Sequence, residues 1–118
     1  HSGTPPYSLP FQIGELANTF PEATIIMGHF GYDAFWTDVL PVAKKNDNLF
    51  LETSRHPVNQ HVERCVEELG AERILFGTDL PYTNPYREVE KIRLLKINEE
   101  ARRKILGENM AEILGLKE

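Results

Sequence analysis

Three short apolar runs punctuate the chain, and their spacing limits its fold more than any other feature. Residues 23–28 read ATIIMG, residues 49–51 read LFL and continue through Glu52, Thr53 and Ser54, and residues 73–78 read RILFGT. Each run is short, apolar and rich in β-branched or aromatic residues, the pattern of a strand buried on both faces. Each ends in a polar residue, His29, Ser54 or Asp79, at intervals of 25 residues, with His1 a further 28 upstream. Such an interval holds one strand, one helix and two loops, so the period predicts consecutive βα units. Strand–helix–strand repeats imply parallel strands with right-handed crossovers, so all strand C-termini point to one side. His1, His29, Ser54 and Asp79 are therefore expected to gather on one rim, where parallel α/β proteins do their chemistry.

The segments between fit helices. Residues 10–19 carry Phe11, Ile13, Leu16 and Ala17, continued by Phe20, as an apolar stripe behind a helix-starting Pro10. Residues 33–45 form the next, with Phe35, Trp36, Val39, Leu40 and Ala43 inward and a kink or shortening at Pro41. Residues 57–69 place Val58, Val62, Cys65, Val66 and Leu69 on one face, with Gly70 closing the helix and His61 read as a surface residue. Residues 85–95 follow, then a helix capped by Asn98 and stopped by Gly107. A last short helix over 108–114 turns Met110, Ile113 and Leu114 inward.

Composition removes several classes of function. At 118 residues with 41% apolar content, the chain is one ordinary domain and not a disordered segment. No apolar run approaches the ~20 residues that span a bilayer, so no membrane partner is expected. The net charge is −5 and no basic stripe is visible, which argues against a nucleic-acid partner. One cysteine excludes an internal disulfide framework and suits a reducing, cytoplasmic setting. Cys65 itself sits among Val62, Val66 and Leu69 and reads as a small core residue. The chain opens at His1-Ser2-Gly3 without an initiator methionine or a signal-peptide pattern, and reads as a processed chain or a fragment.

Two histidines and an aspartate on one rim form a candidate metal site. Neutral imidazole and carboxylate are standard ligands of a borderline divalent ion such as zinc. A catalytic ion of this kind keeps an open position and brings the pKa of its water to about 7. Asp79 could be a ligand, the proton acceptor from that water, or both. His29 could ligate, or stand just outside and shuttle protons; taken alone, a histidine in a glycine-rich turn is more often structural. Arg55 and His56 follow the second run and suit an anionic group, the alternative being a solvated loop. Tyr82, with Tyr32 and Trp36, could wall a substrate pocket, although aromatics at helical spacing are more often core. The register of Glu52 is left open.

The opening HSG, the GHFG at residues 28–31, the RILFGTDLP at residues 73–81 and the closing KILGENMAEILGL resemble the C-terminal half of the amidohydrolase superfamily. The branch resembled is the one that includes aminocarboxymuconate-semialdehyde decarboxylase and related decarboxylases and hydrolases. The resemblance implies a (β/α)8 barrel with one divalent metal at its C-terminal rim, zinc first and manganese second. It places His1 after the fifth strand as a metal ligand. His29, after the sixth, acts on water or substrate, and Asp79, after the eighth, is ligand and proton carrier. Residues 1–118 would then be a partial metal-dependent hydrolase domain, about strands six to eight of the barrel with their helices.

The family's H-x-H ligand pair is missing, and so are strands one to four and the body of the fifth. Three or four strands cannot close a barrel that needs eight and about 250 residues. The expected partners are therefore a small-molecule substrate and either the missing N-terminal half of the barrel or a homo-oligomeric copy. The expected activity is hydrolysis of an amide or ester, or decarboxylation. The alternatives are a lactonase on the same scaffold and a non-catalytic assembly module.

Overall fold

A computed structural model describes residues 1–116. Its centre is a three-stranded sheet of β1 (Ile25–Met27), β2 (Leu49–Glu52) and β3 (Ile74–Leu75), in the order β1-β2-β3. Both pairings are parallel, with Met27 beside Leu51 and Leu51 beside Ile74. The chain is thus an α/β protein with a parallel sheet, as the 25-residue period implies. All three strands are shorter than the runs that announce them.

Around the sheet lie α1 (Pro10–Thr19), α2 (Val39–Lys44), α3 (Asn59–Leu69) and α4 (Pro85–Arg93). A final helical run consists of α5 (Glu99–Arg103), a π turn (Lys104–Glu108) and α6 (Asn109–Ile113). The starts follow capping chemistry. Asn84 accepts from Tyr86 N at 3.0 Å and Asn98 from Ala101 N at 2.8 Å, satisfying helix N–H groups that have no intrahelical partner. Gly70 ends α3 with φ 95°, a conformation strained for any side chain. The side chain of Arg102 caps the end of α4 from outside, donating to the carbonyls of Ile92 and Arg93.

The core joins Met27, Leu49, Leu51 and Ile74 of the sheet to Val39, Leu40, Ala43, Val62, Cys65, Ile92 and Ile105 of the helices, with Phe30 fully buried among them. Only one face of the sheet is fully covered. Along β2, Leu49 and Leu51 are buried while Phe50 and Glu52 are half-buried, and Ile26, paired with Phe50, is exposed. The expectation of strands buried on both faces therefore holds for Ile74 and Leu75 and fails at β1 and β2, where no further layer among the described residues completes the second face.

Four helix expectations are corrected. In α1 the buried residues are Pro10, Gly14 and Ala17, while Phe11, Leu16 and Phe20 stay about half exposed. The helix packs through its small residues: a Cβ at Gly14 would stand 2.5 Å from Val42 Cγ1. Residues 33–45 are not one helix; a 3-10 turn at Trp36–Asp38 precedes α2, and Pro41 falls in the first turn of α2, where its missing N–H costs nothing. Gly107 does not stop the last helix but lies inside the π turn; Gly115, at φ 69°, terminates the run instead. The buried residue of α6 is Asn109, whose amide donates to Ala71 O and Ile74 O at 2.8 Å each, while Leu114 is exposed.

Candidate active site

The site begins where β1 runs out. Residues 28–31 make a tight 3-10 turn in which His29 (φ 68°) and Phe30 (φ 54°) take left-handed backbone conformations. Tyr32 (φ 56°), Arg55 (φ 60°) and Asp79 (φ 54°) do the same. These five non-glycine residues all lie in the turns that follow the three strands. Strain of roughly 1–3 kcal/mol per residue persists only where surrounding contacts fix it, and such residues cluster at functional sites.

The fixing contacts can be named. Ser2, fully buried, accepts from Gly31 N at 2.8 Å and donates its hydroxyl and its backbone N–H to Gly28 O. The first residues are thereby laced across the GHFG turn. This sets His1 edge-on to His29, with ring centroids 4.7 Å apart, and Tyr32 lies within 6 Å of both rings.

His29 is held from β2. Its Nδ1 lies 2.9 Å from Ser54 Oγ and 3.2 Å from Ser54 O. The Ser54 hydroxyl donates to Glu52 Oε2, so both of its partners leave Nδ1 as the proton donor. The lone pair then sits on Nε2, which has no hydrogen-bond partner among the described residues and is free to accept a proton or ligate an ion.

Glu52 organises this corner. Its Oε2 accepts from His29 N (3.1 Å) and Ser54 Oγ (2.8 Å), and its Oε1 from Ser54 N (2.6 Å). A Cβ at Gly77 would stand 2.0 Å from Glu52 Oε1, so the glycine of the FGTD run makes room for the carboxylate. Sequence reasoning left Glu52 unassigned. The available signal was the alternation along β2, which puts Glu52 opposite Leu51 in facing.

Asp79 follows β3 on the same rim. Its carboxylate faces Arg55, whose Nη1 lies 3.4 Å from Asp79 Oδ2, while the Arg55 guanidinium also sits 4.9 Å from the Tyr32 ring centre. Arg55 is aimed by its backbone: its N–H donates to Glu88 of α4, a buried carboxylate that also accepts from Lys91 at 2.6 Å.

The structure therefore brings His1 to His29 and Arg55 to Asp79. Among the described residues, no three His, Cys, Asp or Glu side chains group closely enough to hold an ion. His1 and His29 fit as part of a donor set that the described residues do not complete.

Arg55, His56 and Tyr82 share one cavity of about 630 Å³. His56 is 1% exposed rather than at the surface, and its ring lies 5.0 Å from that of Phe30. Burial, with His61 and Lys91 nearby, brings its pKa down to about 3. His61 is also buried, against the surface expectation, because it lies one turn before Cys65 on the inward face of α3, 3.7 Å from the sulfur and edge-on to Phe30. Cys65 is buried, as expected of a core residue, and desolvation pushes its thiol up to about 12.

Comparison with known proteins bears on the family and the fold. The family model described as Amidohydrolase matches residues 4–116. A γ-resorcylate decarboxylase of Polaromonas sp. is 30% identical over an alignment covering 76% of this chain and 33% of that protein. A TIM-barrel protein from Bordetella bronchiseptica superposes with a TM-score of 0.79 at 25% identity, over 90% of this chain and 39% of that one. A dihydroxybenzoic acid decarboxylase from Polaromonas sp., solved with bound manganese and the inhibitor 2-nitroresorcinol, gives a TM-score of 0.69 at 22% identity, over 96% of this chain and 42% of that one. The chain spans about a third of the length of the curated relative it matches. With the match running through nearly all its residues, the chain belongs to the amidohydrolase family.

Proposed function

We propose that this chain is the C-terminal part of a metal-dependent decarboxylase that acts on a small aromatic acid, corresponding to about the last three strands of a (β/α)8 barrel. The observation that carries the reading is the paired imidazoles of His1 and His29 on the rim that also bears Asp79. The γ-resorcylate decarboxylase relative supports decarboxylation over amide or ester hydrolysis. The manganese-containing neighbour supports a divalent ion, for which zinc is the other candidate by donor chemistry.

His1 and His29 would help to hold the ion and Asp79 could add a carboxylate, the remaining donors coming from outside this chain. An ion bound there supplies a Lewis acid that polarises substrate oxygen. The rest falls to this chain's own side chains. Decarboxylation replaces a C–CO2 bond with a C–H bond, so a proton must reach the ring carbon. Asp79 is the proton carrier, and Arg55 stabilises its charged form after the proton has left. His29, protonated at Nδ1, keeps Nε2 facing the reaction as ligand or base. Arg55, His56 and Tyr82 form the substrate side.

The test is Asp79→Asn in the full-length protein. Activity is expected to fall by about 10²–10⁴-fold with the fold unchanged by circular dichroism. Retained activity, or a fully active full-length protein in which elemental analysis finds no divalent metal, overturns the reading.

A further inference from the structure

What His29 can do depends on which ring nitrogen carries the proton, since a neutral imidazole donates from one and accepts at the other. Its Nδ1 lies 2.9 Å from Ser54 Oγ, and a hydroxyl by itself decides nothing, because it can donate or accept. The choice is made one bond further along. Ser54 Oγ lies 2.8 Å from Glu52 Oε2, and an ionised carboxylate only accepts. The hydroxyl proton therefore goes to Glu52, and the serine oxygen is left to accept from Nδ1–H.

Further contacts hold this run of bonds in place. Ser54 N donates to Glu52 Oε1 at 2.6 Å and His29 N to Glu52 Oε2 at 3.1 Å, so one carboxylate grips both the serine and the histidine behind it. On either side of Ser54, Lys91 Nζ donates to Thr53 O at 3.3 Å and Arg55 N donates to Glu88 at 3.2 Å. Ser54 is 2% exposed, which keeps water from competing for its hydroxyl. A second acceptor lies beside the first: Ser54 O is 3.2 Å from Nδ1 and can only accept.

We infer that Glu52, acting through Ser54, is a positioning residue that locks His29 in its Nδ1–H tautomer and leaves the Nε2 lone pair pointing away from Ser54, open to an ion or a proton. This rests on the proposed function only for what Nε2 meets there. The other tautomer would present an N–H where that reading needs a lone pair.

The arrangement makes an unusual demand on variants. Removing Glu52 alone frees the Ser54 hydroxyl to turn and donate to Nδ1, against the carbonyl. Removing the hydroxyl as well leaves the carbonyl as the sole partner and restores the tautomer, whereas damage to the fold would accumulate.

The full-length protein, metal-free and 15N-labelled at histidine, is read at pH 8 by NMR of the ring nitrogens, with folding checked by circular dichroism. The parent is expected to hold His29 as Nδ1–H in excess over Nε2–H by about tenfold or more. Glu52→Ala is expected to lose that excess, and Glu52→Ala combined with Ser54→Ala to regain it. Asn109→Ala, a buried polar change that touches neither residue, is expected to keep it. Nε2–H as the main form in the parent, an unchanged tautomer in Glu52→Ala, or a double variant no better than Glu52→Ala overturns the assignment. The parent measurement needs no variant, so refutation remains possible even if Glu52→Ala does not fold. Mn2+ is then added to the parent, and selective broadening of the His29 signals is expected. Its absence with the tautomer intact tells against the proposed function while the role of Glu52 stands.

Discussion

The contact between Gly77 and Glu52 gives the sharpest test of how the rim is built. An alanine at position 77 puts its Cβ 2.0 Å from Glu52 Oε1 and 2.7 Å from Cδ, whereas ordinary contact begins at 3.4 Å. The carboxylate must therefore retreat by about 1.4 Å or the strands must part. A retreat of that size breaks the 2.6 Å bond from Ser54 N and disturbs those from His29 N and Ser54 Oγ. Hydrogen bonds to a charged acceptor contribute roughly 1.5–3 kcal/mol each, and a half-buried carboxylate sits at the low end. Loss of one to two of them predicts a cost of about 2–4 kcal/mol, or a fall in Tm of roughly 8–16 °C at about 4 °C per kcal/mol for a domain of this size. The assay is thermal unfolding of four proteins: the parent, Gly77→Ala, Glu52→Ala and the double variant. Without the carboxylate the new methyl has space, so Gly77→Ala in the Glu52→Ala background is expected to cost less than about 1 kcal/mol. Strictly additive costs, within about 0.5 kcal/mol, would refute the proposed steric and hydrogen-bonded arrangement.

Other outcomes follow from the same structure. Asn109→Ala removes the side-chain donor to Ile74 O and one of the two donors to Ala71 O, which still accepts from Ile74 N, and should lower stability by about 1–3 kcal/mol, read as a lower urea midpoint with unchanged m. The lowered pKa values of His56 and His61, to about 3 and about 4, mean that the unfolded chain binds more protons than the native one below the ordinary histidine value of 6.5. Stability contributed by the neutral rings is complete above pH 6.5 and is lost as pH falls toward 4 and then 3. Tm should decline between pH 6.5 and 5, before the carboxylates titrate, and His61→Gln should flatten that slope; a pH-independent Tm over this window contradicts the burial of both rings. Cys65, buried with its thiol pushed up to about 12, should resist an aromatic disulfide reagent at pH 8 until denaturant is added, and rapid labelling of the native chain would place it elsewhere.

The sequence by itself determined the parallel βα architecture and the side of the sheet on which His1, His29 and Asp79 lie. Both follow from short-range information: apolar runs define strands, glycine, proline and asparagine mark their ends, and a 25-residue period leaves room for one crossover each. It also placed His29 and Asp79 at strand ends, because a strand's end is a local property. It went wrong where a residue's surroundings come from distant segments. Whether Gly107 stops a helix depends on the anchoring of Asn109 to Ala71 and Ile74. Whether Phe11 and Leu16 are buried depends on α1 meeting α2 through Gly14.

Only the tertiary structure decided the working geometry of the rim. Ser2 lacing over residues 28–31 brings His1 to His29; Glu52 finds its space against Gly77; and Glu88, thirty-three positions away, aims Arg55 toward Asp79. These are contacts between residues on different βα units, a side chain meeting backbone or a glycine in each case. Their distances are set by sheet register and helix packing, which no local pattern encodes.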